Sequence, residues 1–93
     1  MREMVIEAAL VKAVKERHGM ALKFVSPGFD GVPDRIVLLP HGRLAFVELK
    51  APGEKMRPLQ MKRKQQLETL GFSVYCVDGR DQIGGILDAI QTS

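Results

Sequence analysis

Two carboxylates and a lysine have types and spacing that could do chemistry. Asp34 follows Pro33, and Glu48-Leu49-Lys50 lies on the far side of Pro40-His41-Gly42. Acids held side by side repel each other, so a fold that gathers them needs compensation. A hard divalent cation supplies it, because Mg²⁺ takes one or two carboxylates and completes its shell with water and phosphate. A lysine in the same space would orient a water or neutralise charge developing on a phosphate. That set suits hydrolysis of a phosphodiester. Each part has a plainer reading alone: an Asp after Pro is commonly a turn residue, and Glu-x-Lys is commonly a solvated charged pair.

What decides between these readings is whether the elements bring the three together. Asp34 to Leu39 and Arg43 to Ala51 read as strands joined by Pro40-His41-Gly42. A three-residue hairpin built on a type I turn wants proline early and a left-handed residue last. Setting Leu39 opposite Arg43 puts Ile36 opposite Phe46 and Asp34 opposite Glu48, with Cβ atoms ~4.5–5.5 Å apart. Lys50 then shares their end of one face, above Ile36, Leu38, Leu44 and Phe46. Val37, Leu39, Ala45, Val47 and Leu49 occupy the other face. Both faces are apolar, so the sheet is expected to be covered on both.

The remaining elements follow from periodicity. Arg2 to His18 reads as a helix with Ile6, Ala9, Leu10, Ala13 and Val14 on one stripe and Gly19 as its stop. Glu7 sits beside that stripe, where an acid needs a reason. Ala21 to Ser26 reads as a strand and Pro27 to Pro33 as a loop. Pro58 opens a helix running to Leu70, capped by Gly71, with Leu59, Leu67 and Leu70 turned inward. Phe72 to Val77 reads as a strand, and Asp81 can cap a last helix through Ile90. The order is αβββαβ plus a C-terminal helix, an α/β fold whose third and fourth strands are joined by a parallel crossover.

Composition narrows the class. The chain has 93 residues, 45% hydrophobic and 27% charged, which fits a single domain over residues 1–93 rather than disorder. One cysteine and two histidines exclude an internal disulfide and a structural zinc cluster. No apolar run approaches the ~20 residues of a membrane span, and no signal peptide pattern is present, so a cytoplasmic protein without membrane partners is expected. A chain this short buries only ~60–65% of its unfolded surface, so a partner subunit would help its stability.

Net charge is +3, and its placement matters more than its size. Between Glu48 and Lys64 stand Lys50, Lys55, Arg57, Lys62, Arg63 and Lys64 against Glu48 and Glu54, while the rest of the chain is slightly acidic. Concentrated basicity points to a polyanion, nucleic acid first. Lys55, Arg57, Lys62, Arg63 and Lys64 read as contacts to a phosphate backbone. The competing reading is a solvated lysine-rich helix face. Arg35 points away from Asp34 and reads as structural, as do Cys76 in an apolar strand and Met56 and Met61 as packing or interface residues.

Gly31-Val32-Pro33-Asp34 followed by Glu48-Leu49-Lys50 resembles the PD-(D/E)XK nuclease signature. The more specific resemblance is to its VRR-NUC branch, which adds a glutamine on the next helix, matched by Gln60, and a glutamate on the first, matched by Glu7. It covers essentially the whole chain and resembles the stand-alone, bacteriophage-like form. It implies a restriction-endonuclease-like core, with a mixed central sheet flanked by helices on both faces. It also implies an Mg²⁺- or Mn²⁺-dependent endonuclease in which Asp34, Glu48 and the Leu49 backbone carbonyl bind metal and Glu7 completes the site. Lys50 would serve the attacking water, and Gln60 would hold Lys50, the water or the scissile phosphate. Relatives of this form resemble Holliday-junction resolvases, which implies a homodimer acting on branched DNA in a bacterial host cell. The alternatives are a less selective nuclease that nicks flaps or duplex with a partner supplying specificity, and a nucleic-acid-binding module without catalysis.

Overall fold

A computed structural model describes residues 2–93. Its elements in chain order are α1 (Glu3–Glu16), β1 (Met20–Lys23), β2 (Arg35–Leu39), β3 (Arg43–Leu49), α2 (Pro58–Thr69), β4 (Val74–Val77) and α3 (Ile83–Thr92), the last entered through a 3₁₀ turn at Arg80–Gln82. The sheet runs β1-β2-β3-β4, with the first two pairings antiparallel and β3–β4 parallel. The expected mixed α/β order is therefore present.

The hairpin register is the one the turn demanded: Leu39 pairs with Arg43, Ile36 with Phe46 and Arg35 with Val47. The turn itself differs. His41 and Gly42 both have positive φ, 69° and 71°, where only the last residue was expected to. Positive φ at two successive residues gives a turn twist that matches the right-handed twist of the strands it joins.

One face of the sheet carries the main core. Ile6, Leu10 and Val14 of α1 and Ile83, Leu87 and Ile90 of α3 pack on Val37, Leu39, Ala45, Val47, Leu49 and Val77. The α1 stripe is the one its periodicity indicates. Gly19, however, is not the left-handed residue that ends α1; His18 is, with φ 64°. Gly19 lies against the sheet so closely that a Cβ there would stand 2.3 Å from the Leu38 carbonyl oxygen. Arg17 fastens α1 to α3 by donating to Asp88 Oδ1 at 2.7 Å and Gln91 Oε1 at 2.6 Å. Asp81 does not cap α3. The Gln82 side-chain oxygen instead accepts from the backbone N–H groups of Asp78 and Gly79.

The second face is covered only in part. α2 reaches β4, and Phe24, Phe46 and Phe72 make an aromatic row with centroid spacings of 5.5 and 5.8 Å. Beyond that row Met20, Leu22 and Leu44 stay exposed, so the expectation of full cover on both sides fails along β1 and the start of β3. The inward stripe expected for α2 is also wrong. Leu59 and Leu70 are exposed, and the position α2 buries is Gln60. A helix this polar has no apolar stripe to bury, and its position is set by individual contacts instead.

One of those contacts is at Gly31, where φ is +87° and an added Cβ would lie 2.7 Å from Leu59 Cγ. Gly31→Ala is expected to cost ~1–3 kcal/mol through left-handed strain and displacement of α2. Gly85→Ala, where an added Cβ meets nothing within 4 Å, is expected to stabilise α3 by ~0.5–1 kcal/mol. Urea denaturation of the two variants checks both signs.

Candidate active site

The hairpin places Asp34 one residue before β2 and Glu48 near the end of β3, on the face opposite the main core. Asp34 is fixed by the backbone of the neighbouring strand: Leu49 N–H donates to its Oδ2 at 2.8 Å. Its carboxyl interacts directly with that of Glu48, which is 1% exposed. Lys50 is 8% exposed, and its N–H donates to the Val77 carbonyl at 2.9 Å, which ties the end of β3 to β4. The structure thus brings Asp34, Glu48 and Lys50 together.

Electrostatically the pair is incomplete. Burial, then the hydrogen bond and charge of Asp34, push the Glu48 carboxyl from the usual 4.5 up to about 8, against the opposing pull of Lys50 and the Leu49 backbone. Glu48 Oε2 is buried with no hydrogen-bond partner. A buried carboxylate oxygen left unpaired carries its full desolvation cost. This orphaned oxygen, beside a second carboxyl group, fits a hard divalent cation. No group of three or more His, Cys, Asp or Glu side chains poised for a metal occurs among the described residues. A cation held here would take the carboxylate pair from the side chains and would need backbone and water for the rest.

The acid expected from α1 is divided between two residues. Glu7 is ion-paired, its Oε2 accepting from Arg35 Nε at 3.0 Å, while Arg35 also donates to the Ala21 carbonyl. Arg35 is therefore structural, as its register indicates. Glu3, one turn earlier, feels Asp34 and Lys50: burial and then Asp34 raise its carboxyl above the ordinary value. Sequence reasoning missed Glu3, although the i, i+4 spacing from Glu7 placed both acids on one side of α1.

Gln60 is 9% exposed, and its Oε1 accepts the N–H of Arg57 at 2.9 Å, capping the start of α2. With the amide oxygen held, the amide N–H groups remain as donors. No hydrogen bond joins Gln60 to Lys50 among the described residues. Cys76 pairs across from Glu48, and burial followed by the Glu48 charge pushes its thiol up, away from the thiolate a nucleophile needs.

The basic segment does not act as one surface. Lys55, Arg57 and Lys62 are exposed, and Lys64 is held by Glu68 at 2.9 Å. Arg63 is engaged within the fold. It donates to the Asp30 carbonyl at 2.7 Å and to Gln66, with its guanidinium 3.7 Å from the Phe29 ring centroid. It clamps the Pro27–Pro33 loop to α2.

Because the folded Glu48 carboxyl binds a proton that the unfolded chain has lost, stability of the metal-free protein should fall as pH rises from about 4.5 to about 8. Thermal unfolding in chelator at pH 5 and pH 8 should differ by ~5 °C or more, the effect of ~1 kcal/mol in a domain of this length. Glu48→Gln should flatten that dependence.

Comparison with known proteins agrees with this geometry. The sequence model of the VRR-NUC domain matches residues 2–81. The protein named "Putative nuclease p44" of Acyrthosiphon pisum secondary endosymbiont phage 1 is 49% identical over 90 residues, covering 97% of this chain and 96% of its own. A solved structure described as a VRR_NUC domain superposes with a TM-score of 0.86 at 25% identity, covering 92% of this chain and 94% of that one. With a signature that runs through α1, the hairpin and α2, this chain belongs to the VRR-NUC domain family.

Proposed function

We propose that this nuclease is a metal-dependent endodeoxyribonuclease that cuts branched DNA, in the manner of a Holliday-junction resolvase, and works as a homodimer. The observation that carries the catalytic part is the close pair of carboxyl groups with the buried, orphaned Glu48 oxygen. Asp34, Glu48 and the Leu49 backbone carbonyl would hold Mg²⁺ or Mn²⁺, with Glu3 supplying negative charge from α1 and Glu7, paired with Arg35, supporting the site from behind. When bound, the cation would lower the pKa of a water and offset charge on the phosphate.

The chain's own groups have separable tasks. Leu49 N–H keeps Asp34 in one orientation, so the carboxylates are pre-organised rather than gathered by substrate. Lys50, buried beside them, orients the attacking water and neutralises charge developing on the phosphate oxygens. Gln60, its oxygen fixed by Arg57, would offer its remaining amide donors to the water or the scissile phosphate. Lys55, Arg57, Lys62 and Lys64 hold the backbone on either side through charge, a binding mode that weakens steeply with salt.

The homodimer rests on the bare half of the sheet. Met20 at 56% exposure, Leu22 and Leu44 form a charge-free apolar surface across β1, β2 and β3. An uncovered apolar sheet face in a small protein marks an interaction surface. Two copies would give two sites on one substrate, suited to paired nicks at a four-way junction.

Cleavage of synthetic four-way junctions, flaps and plain duplex with Mg²⁺ or Mn²⁺ tests the reading. Junctions should be cut fastest, and Asp34→Ala or Lys50→Ala should lower the rate by ~10²-fold or more. Intact cleavage in either variant would remove the site assignment, and equal rates on all substrates would leave only a non-selective nuclease. Leu44→Asp should convert the dimer to a monomer in sedimentation.

A further inference from the structure

A groove lies outside the carboxylate site, along the outer side of α2. It encloses about 770 Å³ and is lined by Lys55, Lys62 and Lys64 together with Met56 and Met61. Its rim is cationic, with Glu68 neutralising part of Lys64. Its floor is apolar. Met61 is 58% exposed there, although it directly follows the buried Gln60.

Lysines alone suffice to hold phosphates, and an exposed methionine adds nothing to that contact. Resting on the nuclease reading above, we propose that Met61 is a wedge that enters the base stack of the strand held by the α2 lysines. The geometry supports one occupant. The lysine rim is complementary to a phosphodiester backbone. A DNA strand held by that rim brings its apolar sugars and base faces toward the floor. Methionine is unbranched and polarizable, so it fits between bases of any identity. Side chains of this kind unstack base steps in architectural DNA-binding proteins. Successive helix residues stand about 100° apart, so Met61 faces the outer side of α2 while Gln60 faces inward, and the opened step would belong to the strand lying along the lysines.

This gives a basis for substrate choice in a protein with no element that reads base edges. Opening a step costs least where stacking is already broken, at a junction, a flap base or a bulge. Selection for branched DNA would then come from the wedge, and affinity from the lysines.

The test uses the full chain with Ca²⁺ in place of Mg²⁺ and a four-way junction carrying 2-aminopurine at the branch point. Binding of the wild type should raise the fluorescence as the base unstacks, and Met61→Leu should keep the rise. Met61→Ala should lose the rise while its Kd stays within about threefold, since the phosphate contacts remain. With Mg²⁺, Met61→Ala should cut the intact junction about tenfold slower or worse, yet cut a substrate already opened by a bulge at near wild-type rate. An unchanged rise in Met61→Ala, or equal losses on opened and intact substrates, overturns the wedge. A shift of Met61→Ala to monomer also overturns it, since the residue would then serve the subunit contact. If the wild type neither binds nor cuts any DNA, the nuclease reading fails first and the wedge with it.

Discussion

The structure turns on one repulsion: two carboxyl groups, Asp34 and Glu48, held close with one of them almost fully buried. Left alone, such a pair is a cost, and it is met here by keeping a proton on Glu48 to near pH 8. Several features serve only to hold the pair in that state. The Pro40–Gly42 turn sets the strand register, the Leu49 N–H fixes Asp34, and the Lys50 N–H ties the strand end to β4. The face behind them is filled by α1 and α3, which makes the sheet a rigid platform. A site built on strands in this way stays within the tolerance that catalysis requires.

The opposite face has been arranged for access instead of cover. α2 buries a glutamine rather than a leucine, and its polarity is explained by what it presents. Gln60 faces inward, Arg63 holds the Pro27–Pro33 loop, and the lysines stay outside. Gly31 sets how near α2 can come, because its missing Cβ leaves room for Leu59. The apolar surface at Met20, Leu22 and Leu44 is the price of that arrangement. In a single copy it remains in water, which gives a physical reason for a second copy.

Legibility differed by element for physical reasons. The hairpin register was readable, since a turn with Pro40 and Gly42 leaves one pairing and a one-residue slip would reverse both faces. The α1 stripe was readable because Ile6, Leu10 and Val14 recur at helical spacing. The α2 face was not. Leu59, Leu67 and Leu70 suggested an inward side, but a buried polar residue is recognised only from the site it serves. Glu3 was hidden for a similar reason: the side of α1 that meets Asp34 depends on how the helix sits on the sheet, which periodicity does not give. Arg63 carries the same charge as its basic neighbours, and only the positions of Phe29 and Asp30 reveal its clamp on the loop.

The cation site at Asp34 and Glu48 is tested most directly by calorimetric titration of Mn²⁺ into the protein at pH 7, in two buffers of different ionisation enthalpy. Metal binding requires deprotonated ligands, so uptake should release roughly one proton per site, and Glu48→Gln should abolish that release. Absence of Mn²⁺ uptake, or uptake without proton release that persists in Glu48→Gln, would contradict a carboxylate pair built to hold a metal.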